Sequence, residues 1–238
     1  MTVLRPLPGP AVPSVPEQAL PPWRRPLAVV AHPDDESFGL GAVLARFVSD
    51  EAAPSVLCLT HGEASTLHGV EGDLRTLRAG ELAEAAGLLG LHHVDLRDHP
   101  DGALAATEPD TLVEAVIDAA RTASSDGLLV FDPSGVTGHP DHTAATRAAL
   151  AAARLLDLGV LAWTLPEEVA ATLNTELGTT FTGHPRHQID LHVRVDRRRQ
   201  LQAVQAHPSQ ALPGSALWRR LELLGATEHL RWLRQPHR

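Results

Sequence analysis

The sequence predicts an α/β domain in which a mostly parallel sheet carries helices on both faces. Short apolar runs alternate along the chain with stretches of helical periodicity. Those runs are continuously apolar rather than alternating, as strands buried on both faces must be. Size and composition agree: 238 residues, 43% hydrophobic and 21% charged, suffice for one large core and leave little room for a second domain.

Taken in order, residues 1–26 carry eight prolines, too many for a helix or a central strand. They are expected to form an extended arm ahead of a domain of residues 27–238. The run 27–31 reads as a buried strand, followed by a helix over 37–48 and a second buried strand over 55–60. Leu74, Leu77, Leu82, Ala85, Leu88 and Leu89 recur at helical spacing, with Gly90 placed to cap the helix. A strand over 92–96, a helix over 108–123 and a strand over 127–131 follow. An Ala-rich helix over 142–156, a strand over 160–164, a helix over 165–177 and a strand over 188–195 come next. One or two helices are expected to finish the chain.

The formal net charge is −9, which repels phosphate backbones, so nucleic acid is not an expected partner. No apolar run approaches the roughly 20 residues of a membrane span. Cys58 is the single cysteine and lies in an apolar run, so it reads as a buried strand residue. With no signal-peptide pattern at the N-terminus, the expected location is the reducing cytoplasm.

Two motifs fall just after predicted strands, where ligands bind in parallel sheets. They are His32-Pro33-Asp34-Asp35-Glu36 and Gly138-His139-Pro140-Asp141-His142. Either alone also fits a solvated histidine beside a helix N-cap. Converging on one edge, they supply imidazoles and carboxylates suited to a catalytic zinc, with two histidines and one carboxylate as ligands. A second carboxylate can then act as base, and Asp34 and Asp35 are placed to divide those roles.

These two motifs resemble the signatures of the PIG-L/LmbE-like family of metal-dependent N-deacetylases, and the resemblance extends over most of residues 27–210. Thr60-His61-Gly62-Glu63, Arg78-Ala79-Gly80-Glu81-Leu82, Asp101-Gly102 and His207-Pro208-Ser209-Gln210 are similar to weaker family motifs and fall in the same order. The resemblance implies a Rossmann-like fold. It also implies a hydrolase that removes an N-acetyl group from a small N-acetylglucosamine-type sugar or conjugate. In this reading His32, Asp35 and His142 hold Zn²⁺, or Fe²⁺ in the cell. Asp34 is the general base and His139 the general acid, with Asp141 orienting and tuning His139. Arg78 and Asp101 contact the substrate. Where some members carry a tyrosine before the second motif, this chain has Val136 and Thr137. The role of His207–Gln210 is left open, as is oligomeric state, a homo-oligomer included.

Rival readings are a nucleotide-binding module, an amidase for a non-sugar amide and a catalytically silent family member. The first rests on Gly39-Leu40-Gly41 with Glu63 about 20 residues on. It is weakened by Leu44 at the third glycine position and by three carboxylates where a pyrophosphate would sit. The intact Asp34 and His139 argue against a silent site. His92, His93, His99 and His184 read as surface or loop residues, and Trp163, Trp218 and Trp232 as packing residues. Trp23 reads as a staple for the arm, and Arg197-Arg198-Arg199 as a solvated helix face.

Overall fold

The computed structural model describes residues 18–66 and 73–236. Strand β1 (Pro26–Val30) is buried along its whole length and is followed by helices α1 (Asp35–Phe38) and α2 (Gly41–Ser49). Then come β2 (Ser55–Thr60), α3 (Leu74–Leu89) and β3 (His93–His99). A short turn of 3-10 helix at Leu104–Ala106 leads to α4 (Pro109–Thr122) and β4 (Gly127–Phe131). Next are α5 (Gly135–Gly138), α6 (Pro140–Leu156), β5 (Gly159–Pro166) and α7 (Glu167–Leu177). The chain continues through β6 (Gly183–His184), β7 (Leu191–Arg194), α8 (Arg198–Gln205), α9 (Ala216–Leu224) and β8 (Thr227–Arg234).

The main sheet runs β3-β2-β1-β4-β5-β8-β7, with β6 beside β5. Strands β3 to β5 are parallel, and β8 lies antiparallel between β5 and β7. This is a single α/β domain with a core on each face of the sheet. Leu27, Val29 and Ala31 pack against α4 and α6 on one side. Ala28 and Val30 pack against α2 and α3 on the other. Alternate residues of one strand feed opposite cores, which is why its apolar run is unbroken.

Local chemistry sets most boundaries. Gly90 ends α3 at φ 83, in the left-handed region where a Cβ is costly. Asp73 caps its start, accepting from the Thr76 N–H. Pro109 and Pro140 open α4 and α6 at positions whose N–H would have no helical partner. Cys58 is buried, as expected, and its thiol is pushed up by burial.

Several expectations need correction. The helix expected over 37–48 is two helices broken at Gly39-Leu40. The Gly39 backbone lies so close to the Phe131 ring that a Cβ there would approach it to 2.3 Å. The glycines of the supposed nucleotide motif thus serve packing. Two helices do lie near the C-terminus, but the chain then forms β8. Its alternation carries Glu228 inward, where Arg197 and the Trp163 indole neutralise and bind it. The arginine run is not simply solvated: Arg197 pairs with Glu228, and Arg199 donates to the Leu89 carbonyl, leaving Arg198 on the surface with Asp196. His184 contacts buried Asp132 at 2.9 Å rather than standing free. Of the expected arm, residues 1–17 lie outside the described residues. Trp23 is buried, stacked 6.1 Å from Phe47 and edge-on 5.7 Å from Trp232. Among the described residues no helix is long and apolar enough to cross a membrane.

Candidate metal centre and active site

Strands β1 and β4 are hydrogen-bonded neighbours, with Leu27 opposite Leu128. The chain leaves β1 toward β2 on one side and reaches β4 on the other, so their carboxyl ends flank the crevice where strand order reverses. The first motif follows β1. In the second, His139 caps α6, so Asp141 and His142 lie in that helix's first turn. Sequence separation of more than a hundred residues closes to contact distance.

His32 Nδ1 lies 3.3 Å from His142 Nε2 and 3.6 Å from Asp35 Oδ2, and His142 Nε2 lies 3.2 Å from Asp35 Oδ1. Four-coordinate zinc with bonds of about 2.0–2.1 Å has ligand–ligand edges of roughly 3.3 Å. The outer partners orient each ring. His142 Nδ1 faces the Gly135 carbonyl at 3.3 Å, so that nitrogen carries the hydrogen and Nε2 holds a lone pair. His32 Nε2 faces Asp101 at 3.0 Å and Asp141 at 3.4 Å, so it is the donor and Nδ1 holds the lone pair. With those outer nitrogens as donors, His32 Nδ1, His142 Nε2 and the Asp35 carboxylate are the groups left to grip a cation. These residues fit a divalent metal. His32, His139 and Asp141 form a second close group that shares His32.

The carboxylates are differently tuned. Burial would raise the Asp35 pKa, but His142 and His32 outweigh it and hold the group well below the usual carboxylate range. Asp34 is pushed up to about 6 by burial, against the pull of Arg78. Burial and the neighbouring His142 and His32 push His139 down. Asp34 also sits at φ 122, and Val136, a β-branched residue lining the same cavity, at φ 64. Backbone strain of this kind persists only where surrounding contacts impose it.

Arg78 is one such contact. It is buried and donates to the Pro33 and Gly62 carbonyls, and its Nη2 lies 3.0 Å from Asp34 Oδ2. Gly62, at φ 65, lets the guanidinium pass; a Cβ there would come within 2.0 Å of Arg78 Nη1. Asp101 Oδ2 accepts from the Ala64 N–H while its Oδ1 holds His32. Arg78 and Asp101 line the cavity; Arg78 Nη2 and Asp101 Oδ1 hold the first motif, while Arg78 Nε is buried with no hydrogen-bond partner among the described residues. Asp141, expected to orient and tune His139, meets it through the main chain. The Asp141 carboxylate accepts from the Gly102 and Leu104 N–H groups and meets His32, while the Asp141 main-chain N–H holds His139 Nδ1 at 3.2 Å. The first helical turn aims the side chain away from its own cap.

The cavity over these residues measures about 490 Å³, with Phe38, Phe131, Trp163 and Phe181 among its walls. Trp163 is therefore both a packing residue and a wall. Sequence reading missed Arg220, which also lines the cavity. An arginine that follows half-buried Arg219 in an amphipathic helix gives no local signal of that placement.

The fold and site define a Rossmann-like α/β protein with a two-histidine, one-carboxylate candidate metal centre at the β1/β4 crevice. Residues 27–153 match the family described as PIG-L, GlcNAc-PI de-N-acetylase, and the chain belongs to that family. It is 32% identical over 184 residues to the 1D-myo-inositol 2-acetamido-2-deoxy-alpha-D-glucopyranoside deacetylase of Rhodococcus opacus (strain B4). That match covers 62% of this chain and 63% of the relative, less than two thirds of its length. Among solved structures, the A40926 pseudoaglycone deacetylase Dbv21 aligns with TM-score 0.68 at 21% identity, covering 90% of this chain and 99% of that one. GalB, the 4-carboxy-2-hydroxymuconate hydratase of Pseudomonas putida, aligns with TM-score 0.69 at 18% identity, covering 90% and 98%. At such identities the likeness is one of fold.

Proposed function

We propose that this chain is a metal-dependent hydrolase that removes an N-acetyl group from a small N-acetylglucosamine-type sugar or conjugate. The observation that carries the reading is the convergence of His32 Nδ1, His142 Nε2 and Asp35 beside a half-buried Asp34 that stands outside the ligand set. The name of the Rhodococcus relative, a deacetylase of a 2-acetamido sugar, supports the substrate class. Zinc is the metal we assign, Fe²⁺ being the other cation this donor set accepts. Buried Cys58 fits a reducing cytoplasm.

A bound cation of this kind polarises an amide carbonyl and lowers the pKa of water toward about 7. Asp34, held by Arg78, takes the proton of the attacking water. The water oxygen bonds to the carbonyl carbon, the C–N bond breaks, and the proton taken by Asp34 passes on to the departing nitrogen, with His139 as the general acid beside that atom. His139 is held for this by the Asp141 main-chain N–H. Products are acetate and a free amino sugar.

The test pairs metal analysis with an amine-release assay over N-acetylated amino sugars. Stoichiometric divalent metal with amine release from at least one sugar is expected. Metal binding without release from any of them overturns the sugar deacetylase reading.

A further inference from the structure

Arg220, on α9, is 8% exposed and lines the cavity. Its guanidinium carbon lies 5.0 Å from the centroid of the Trp163 ring, also a cavity wall. Among the described residues the guanidinium makes one hydrogen bond, from Nη2 to the Phe38 carbonyl oxygen. Its Nε is buried without a partner. No carboxylate of the described residues lies within ion-pair distance. Glu228 is the strongest acidic influence on it, but both oxygens of Glu228 are engaged, one by Arg197 and one by the Trp163 indole N–H. Burial pushes Arg220 down to about 10, so it remains a cation at neutral pH.

A buried arginine that serves stability alone is paired, as Arg197 is here, because an uncompensated buried charge is costly. Arg220 instead holds unused donors beside an aromatic face in the lining of a substrate-sized cavity. The guanidinium fork matches carboxylate and phosphate oxygens. We propose that Arg220 binds an anionic oxygen group, carboxylate or phosphate, carried by the amine portion of the substrate. This rests on the deacetylase reading, since the acetyl group that leaves bears no charge.

The test uses zinc-loaded enzyme and two matched pairs. One is N-acetylglucosamine 1-phosphate against methyl N-acetylglucosaminide. The other is the carboxymethyl glycoside of N-acetylglucosamine against its carboxamide. We expect kcat/KM for amine release to favour the anionic member of at least one pair by 10-fold or more. Which pair shows it identifies phosphate or carboxylate. In Arg220→Gln the ratio should fall toward one, and in Arg220→Lys it should be intermediate. Equal kcat/KM within both pairs in the wild type overturns the proposal without any variant. So does a preference that survives in an Arg220→Gln protein with the wild-type circular dichroism spectrum. If no sugar releases amine, the deacetylase reading fails separately, and calorimetry with glucose 1-phosphate against glucose decides the anion site. Phosphate-dependent binding lost in Arg220→Gln and retained in Arg220→Lys upholds it; equal binding of the two probes overturns it.

Discussion

His207 Nε2 lies 2.7 Å from Glu36 Oε1, with neither side chain exposed to solvent. The residues are 171 positions apart. The other oxygen of Glu36 accepts the Asp34 N–H at 2.9 Å, at the residue held at φ 122. Two residues on from His207, Ser209 donates through its hydroxyl and main-chain N–H to Glu81 of α3. The His-x-Ser-Gln segment is therefore a brace beneath the first motif. Opposite charge on each partner stabilises the other, with His207 raised and Glu36 lowered despite burial of both.

Removing one side of a buried pair leaves an uncompensated charge, at about 3–5 kcal/mol. His207→Asn and Glu36→Gln should each lower the melting temperature by on the order of 10 °C for a protein of this size. The double variant should lose less than the sum. Thermal unfolding followed by circular dichroism measures this, and a His207→Asn protein that melts with the wild type contradicts the brace.

Asp34 and His142 should separate chemistry from metal binding. Asp34→Asn removes the proton acceptor and should lower kcat by about 10²–10⁴ with metal content unchanged. His142→Ala removes a ligand and should lose the metal itself. Elemental analysis beside turnover tells them apart, and near-normal turnover in Asp34→Asn rules out the assigned base.

Asp101 sits 3.0 Å from His32 Nε2, on the far side of the ring from the candidate metal position. Partners of this kind orient the ligand, and their loss typically costs about 10–100-fold in metal affinity. Asp101→Asn should show that loss in a chelator competition. A raised KM with unchanged metal affinity would return Asp101 to a purely substrate-binding role.

His229 faces His192 at 2.9 Å between their Nδ1 atoms. Burial, with help from His192, pushes its pKa down to about 4. Above about pH 6.5 both folded and unfolded chains hold it neutral. As pH falls from there to about 4, the unfolded chain gains a proton that the folded one refuses. Stability therefore drops across that window, by at most about 1.4 kcal/mol per pH unit from this group. His229→Gln should flatten the acid side of the urea-unfolding profile, and a slope equal to the wild type's would refute the account.

Much of the site was legible because its chemistry is locally written. His32 to Glu36 and Gly138 to His142 are contiguous and each follows an apolar run, so a parallel sheet brings them to one edge. Gly90 marked a helix end for a steric reason that holds in any context. Strand β8 was not legible, because charged residues interrupt its alternation and Glu228 is buried only once Arg197, 31 residues away, reaches it. The actual partners of Asp141, Asp101 and Arg78 were hidden for the same reason.

Residue type and spacing alone thus determined the fold class, the strand-end placement of both motifs and the ligand chemistry available to them. Tertiary structure decided which nitrogen of each histidine faces the centre, what Glu36 and His207 brace, and that Arg220 stands buried with no carboxylate of the described residues to pair it. Periodicity and capping act over a few residues and can be read along a chain. The pairing of buried charges depends on desolvation and on groups that meet only after the sheet has assembled.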